Sequence, residues 1–145
     1  MVKVRFLMAF FLFAAMLTNA QESVITKSEL PQTAQKFISA HFPNSTVDYV
    51  KMDKEILSTD YTVRFTDGTE LEFDSNGEWT EVDGKRTAIP TEFIQKSILV
   101  HVKEKFPNTH IVKIEKGRFG KQEIKLSNGL ELEFNSKGIF KRIDD

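Results

Sequence analysis

Gly68-Thr69-Glu70-Leu71-Glu72-Phe73-Asp74-Ser75-Asn76-Gly77-Glu78-Trp79 returns near the C-terminus as Gly129-Leu130-Glu131-Leu132-Glu133-Phe134-Asn135-Ser136-Lys137-Gly138-Ile139-Phe140. Each copy alternates acidic and apolar residues, passes through a turn rich in Asp, Asn, Ser and Gly, and then meets an aromatic residue. That is the pattern of a half-buried strand, a turn and the start of a second strand. A pattern written twice at this separation predicts a repeat architecture.

The offset between copies is 61 at the glycines (68 to 129), 59 at the first prolines (31 to 90) and 64 at the second prolines (43 to 107). These shifts predict a longer helix and a shorter first inter-strand loop in the second copy. Leu30-Pro31 opens the first helix, with Ala34, Phe37, Ile38 and His41 on one face, and Phe42-Pro43-Asn44 closes it. Proline suits a first helical turn, and the residue before a proline is pushed out of the α region. Ile89-Pro90 and Phe106-Pro107-Asn108 bracket the second helix, whose apolar stripe is Ile94, Ile98, Leu99, Val102 and Phe106.

A strand pattern from Thr46 to Met52, a polar loop Asp53 to Asp60 and the alternating stretch Tyr61 to Phe65 precede the motif. Thr66-Asp67-Gly68 and Ser127-Asn128-Gly129 have glycine where a three-residue hairpin loop needs a left-handed residue. That loop sets Val63 opposite Leu71 and Arg64 opposite Glu70, with Ile124 opposite Leu132 and Lys125 opposite Glu131. The next turn can centre on two residues, Asn76-Gly77, or run as a type I turn over Asp74 to Gly77. Lys137 replaces Asn76 in the second copy, and lysine resists positive φ, which favours the type I turn. Phe73 then pairs with Trp79 and Phe134 with Phe140 on the buried face, and Val82 and Ile143 point outward unless the last strand bends. The last strands of the second copy are expected over His110–Lys116, Gln122–Ser127, Leu130–Asn135 and Ile139–Ile143.

The fold class expected is therefore α+β: a tandem repeat of a helix plus a four-stranded antiparallel meander, with the helix packed on one sheet face. The first repeat spans 30–83, a polar linker 84–88, and the second repeat 89–145. A unit this small is marginal alone, so the two are expected to form one compact domain.

The totals bound the function. The chain has 145 residues, 40% hydrophobic and 28% charged, with a net charge of −1, which provides no long-range field to collect nucleic acid or anionic lipid. Residues 1–20 differ: Lys3 and Arg5 precede the apolar run Phe6 to Leu17, and Ala20 ends the stretch. This reads as a signal peptide cleaved after Ala20, leaving no membrane span; an uncleaved N-terminal anchor is the other reading. Residues 21–29 read as a flexible leader. With no cysteine, the protein has no disulfide, so stability rests on packing, which suits a bacterial periplasm; the location expected is periplasmic or secreted.

No catalytic set emerges. His41, His101 and His110 lack metal-ligand spacing, and neither a nucleophile elbow nor a Gly-rich phosphate loop occurs. Glu70 with Glu72, and Glu131 with Glu133, share an open strand face with Arg64 or Lys125 opposite, an arrangement that suits cross-strand ion pairs better than acid/base chemistry. The expectation is a non-enzyme with no cofactor and no metal.

The export signal, the Phe-Pro helix exits and the pattern G-x-E-L-E-F-[DN]-x-x-G-x-[WF] resemble the PepSY-like, β-lactamase-inhibitor-like family of Bacteroides-type bacteria, over Leu30 to Ile143. The resemblance implies the architecture of the β-lactamase inhibitor protein, whose exposed sheet surface grips an enzyme. PepSY domains also occur in propeptides that hold proteases inactive. The function implied is binding of a protein partner, an envelope enzyme among the candidates, through the uncovered sheet face. Tyr49, Thr62, Arg64, Glu70, Glu72 and Thr80 would line it in the first repeat, and Lys113, Lys125, Glu131 and Glu133 in the second, with Tyr49 as the anchor. The alternative is a small-ligand or peptide carrier with a site at the repeat junction, under the overhang of a longer second helix.

Overall fold

Glycine at positive φ closes each hairpin where the sequence places it. Gly68 and Gly129 adopt φ of 92° and 90°, and their N–H groups donate to the carbonyls of Phe65 and Leu126. In the computed structural model, which describes residues 21–144, these turns belong to one nine-stranded antiparallel sheet in sequential order. The strands are β1 (Gln21–Ile25), β2 (Val47–Lys54), β3 (Thr59–Phe65), β4 (Glu70–Phe73), β5 (Trp79–Asp83), β6 (Ile111–Lys116), β7 (Gln122–Leu126), β8 (Glu131–Phe134) and β9 (Phe140–Asp144). Helix α1 (Gln32–His41) precedes β2, and α2 (Lys96–Lys105) precedes β6. The signal-peptide reading of residues 1–20 lies outside the described residues.

The core is one apolar row that takes a residue from every strand. Ile25, Val50, Val63, Leu71, Val82, Ile114, Ile124, Leu132 and Ile143 are successive cross-strand partners. From Val50 to Leu132 each is buried, under Ala34 and Ile38 of α1 and Ile98 and Val102 of α2. The side chains that alternate with this row face away from the helices.

The type I turns form as the sequence predicts. Gly77 and Gly138 donate to the carbonyls of Asp74 and Asn135 at 2.9 Å, and the side-chain oxygens of Asp74 and Asn135 accept from the next turn residues. Phe73 pairs with Trp79 and Phe134 with Phe140, each beside a bulge. The bulge inserts one residue and restores the alternation, which turns Val82 inward to complete burial; a bend was the condition for that. Ile143 lies on the edge strand and remains 44% exposed.

Five expectations are corrected. Residues 21–25 are not a flexible leader: they form β1, paired along its length with Val50 to Lys54 of β2. The segment Asp53 to Asp60 is not all loop, because β2 and β3 continue to Lys54 and from Thr59, closed by a bond from Glu55 N–H to the Ser58 carbonyl. The second copy has neither a longer helix nor a shorter first inter-strand loop, since both helices have 10 residues and the 117–121 connection is no shorter than 55–58. The extra residues form a non-helical turn, Thr91 to Gln95, which puts Phe93 between Phe37 and Trp79 with ring centroids at 5.0 and 5.2 Å. Finally, Thr80 is the extra residue of the β5 bulge, and the open-face place opposite Glu72 falls to Glu81.

Each type I turn is pinned under a helix entrance. A Cβ on Gly77 would come within 2.7 Å of Pro31 and 2.9 Å of the Ala34 nitrogen, and one on Gly138 would collide with Ser97 and Gln95. Gly68 and Gly129 have nothing within 4 Å. Gly129→Ala is therefore expected to cost only the left-handed strain, about 1 to 2 kcal/mol. Gly77→Ala and Gly138→Ala must cost clearly more in urea melts, and equal costs at all three positions would show that the turns are not pinned.

Candidate functional site

The sheet face turned away from the helices carries two parallel rows of polar residues. Tyr49, Arg64, Glu70, Asp83, Lys113, Lys125, Glu131 and Asp144 are successive partners in one. Lys51, Thr62, Glu72, Glu81, Glu115, Glu123, Glu133 and Arg142 are successive partners in the other. Nine of the ten residues singled out from sequence thus share one face, and Thr80 is the exception.

Ion pairs knit the first row. Arg64 meets Glu70 at 3.3 Å and Lys125 meets Glu131 at 2.9 Å, as the turn register predicts. The second row is different in kind: Glu72, Glu81, Glu115, Glu123 and Glu133 stand side by side on five adjacent strands. Neighbouring strands are about 4.8 Å apart, and like charges directly opposite destabilise a sheet. Three cations relieve most of the row. Lys113 reaches Glu81 at 3.0 Å and Glu115 at 3.6 Å, Lys121 reaches Glu123 at 2.8 Å and Glu133 at 3.4 Å, and Arg142 reaches Glu133 at 2.9 Å.

Glu72 has no salt-bridge partner among the described residues. Partial burial, and then the charges of Glu81, Glu70 and Glu115, push its carboxyl above the ordinary value of 4.5, and Lys113 only partly offsets this. Lys113 is raised as well: burial works against its charged form, but the hydrogen bond and charge of Glu81, with the charges of Glu115 and Asp83, hold its ammonium above the ordinary lysine value.

Sequence reasoning missed Lys51, Glu81, Asp83, Glu115, Glu123, Arg142 and Asp144 as members of this face. Alternation within each strand was the available signal, but the alignment of Glu81 with Glu115 needs the pairing of β5 with β6 across an intervening helix.

One corner could hold a cation. Glu123, Glu133 and Asp144 each offer an oxygen, all within 4.8 Å of one another. Three carboxylates suit a hard, oxygen-liganded ion. Lys121 and Arg142 already engage them, with Arg142 Nε donating to Asp144 at 2.6 Å, so an ion would have to displace both side chains. At the junction of the halves, a cleft of about 240 Å³ is lined by His41, Phe42, Pro43, Asn44, Asp67 and the stretch Thr87 to Pro90. It has no overhang from α2, so the reason for expecting a ligand there is gone.

The family model described as "Putative beta-lactamase-inhibitor-like, PepSY-like" matches residues 16–62 and 59–142. The chain belongs to the PepSY-like family. Solved structures of similar proteins agree. A "putative periplasmic protein" from Bacteroides vulgatus is 38% identical, with a TM-score of 0.81 over 86% of this chain and 98% of its own. A "putative calcium-regulated periplasmic protein" from Bacteroides thetaiotaomicron is 39% identical, with a TM-score of 0.81 over 86% and 97%. A second Bacteroides vulgatus protein, described as of unknown function, is 38% identical with a TM-score of 0.80 over 86% and 100%. No curated protein matches the chain. Like these relatives, this PepSY-like protein is periplasmic, and among the described residues no helix is long and apolar enough to cross a membrane.

The raised Glu72 carboxyl has a testable consequence. A carboxyl protonated more readily in the folded chain than in the unfolded one weakens the fold as pH climbs from 4.5 through the raised value. Glu72→Gln is expected to raise the urea midpoint at pH 7, with the gain disappearing as the pH is brought down to the ordinary carboxylate range. A loss of stability at pH 7 would show that the Glu72 charge supports the fold.

Proposed function

We propose that this PepSY-like protein is a non-enzymatic protein-binding module of the periplasm, exported by a cleaved signal and made of one helix-plus-meander unit written twice. Its partner lies on the bare sheet face, and the partner surface is basic. The observation that carries this reading is the row Glu72, Glu81, Glu115, Glu123 and Glu133, because the fold needs no such alignment of like charges and is weakened by it. A basic partner would relieve the repulsion on docking. The rest of the face has the makings of an interface, with Tyr49 beside Arg64 as the aromatic anchor and Thr62, Glu70, Lys113, Lys125 and Glu131 around it. An envelope enzyme is the partner class that the family's β-lactamase-inhibitor-like description favours.

A second reading is calcium control of the same face. It is supported by the Glu123, Glu133 and Asp144 corner and by the description of the Bacteroides thetaiotaomicron relative. Calcium there would free Lys121 and Arg142 and change the charge presented to a partner.

Capture from periplasmic extract tests both. The wild type and two variants, Tyr49→Ala with Arg64→Ala, and Glu81→Lys with Glu115→Lys, are compared with calcium present and with calcium chelated. The proposal expects a specific partner lost in both variants, and the calcium reading expects wild-type capture to change on chelation. Partners retained by both variants would remove this face from consideration.

A further inference from the structure

Phe119 is an aromatic residue held almost wholly in water. It is 98% exposed, with φ of 57°, a left-handed conformation that is rare for a bulky side chain. The loop that holds it is tight: Gly117 N–H donates to the Lys121 carbonyl at 2.8 Å, and Lys121 N–H to the Arg118 carbonyl at 3.3 Å. A Cβ on Gly120 would come within 3.1 Å of Ser136, so this loop lies against the β8–β9 turn, where Ile139 is 55% exposed. Two exposed apolar residues thus sit on adjoining turns at one end of the sheet.

Their surroundings are basic. Arg118, Lys137 and Lys141 are exposed, and no salt bridge among the described residues engages them. This is the reverse of the open face, where glutamates dominate. Exposed apolar side chains among unpaired cations fit a partner that is anionic and accepts apolar groups.

The end of the sheet it occupies is also where the chain comes from. β1 begins there, since Gln21 pairs with Lys54 at the end of β2, and β2 and β6 run the same way, four antiparallel steps apart. Only Thr18 to Ala20 separates β1 from the apolar run Phe6 to Leu17, whose composition is that of a membrane-inserting export signal. Until that signal is cleaved, the sheet end at which β1 begins is the one within three residues of it. The β2–β3 hairpin also has an exposed tip at this end, Ile56 and Leu57, but about 20° of twist per strand turns it well away from Phe119.

We propose that Phe119 and Ile139, flanked by Arg118, Lys137 and Lys141, form a peripheral docking site for an anionic phospholipid bilayer. Phenylalanine and isoleucine would enter the headgroup boundary while the cations meet phosphates, the combination used by interfacial membrane segments. The site is independent of the open face, which would remain free for a protein partner.

The test uses the full chain with Trp79→Phe, so that one introduced tryptophan reports position. Phe140 fills the place of Trp79 in the second motif, which makes phenylalanine a conservative replacement. The probe is Phe119→Trp, and the control is Thr66→Trp on an exposed turn at the opposite end. Vesicles of phosphatidylcholine, with or without phosphatidylglycerol and brominated lipid, are added. The proposal expects bromine quenching at position 119 only, in anionic vesicles only and weakened by salt, with Arg118→Glu plus Lys137→Glu reducing partitioning by about tenfold or more. Quenching at position 119 that persists undiminished in the Arg118→Glu plus Lys137→Glu variant, or in vesicles without phosphatidylglycerol, would mean that the N-terminal run alone holds the chain on the membrane, and would overturn the proposal. So would an absence of quenching, or a concentration-dependent dimer abolished by Phe119→Ser, which would assign the patch to a second copy.

Discussion

The pairing of β5 with β6 is the contact on which the rest of the structure depends. It consists of three cross-strand pairs, Glu81 with Glu115, Val82 with Ile114 and Asp83 with Lys113. Without it each half has a sheet with two open edges, and an isolated unit of this size is marginal. With it, Val82 becomes the centre of an apolar row that crosses all nine strands, and both helices cover the same face. Phe93 braces the joint on the helix side by packing against Phe37 and Trp79.

The same joint produces the bare face. Because β5 and β6 meet in register, the glutamates of the two halves fall into one line. Lys113 bridges the seam by reaching back to Glu81 and along its own strand to Glu115. The surface is sharply divided as a result, with carboxylates on the open face and unpaired cations beside Phe119 at one end. A net charge of −1 conceals this division, which is why composition alone argued against nucleic acid and anionic lipid as partners.

The turns and registers within each half were legible in the sequence because they are decided locally. Glycine at a required left-handed position, and lysine in place of asparagine at 137, were enough to predict which residues oppose each other. The joint was not legible, since nothing local says which strand β5 will meet across a helix. β1 was missed because Gln21 to Ile25 is polar and short, and its order comes from pairing with β2 rather than from an apolar face of its own. The length of α2 was misjudged because Ile94 keeps the helical spacing of the stripe while its backbone turns to deliver Phe93. Half of the candidate face was therefore visible in advance as alternating strands, and the glutamate row only once the joint was known.

Carboxylate footprinting tests the central claim most directly. Carbodiimide labelling of the intact protein, followed by mass spectrometry, compares each glutamate in buffer and in concentrated periplasmic extract. The account predicts slower labelling in extract at Glu81, Glu115 and Glu123, with Glu92 and Glu104, exposed outside the open face, unchanged. Unchanged labelling along the row, or protection confined to Glu92 and Glu104, would contradict it.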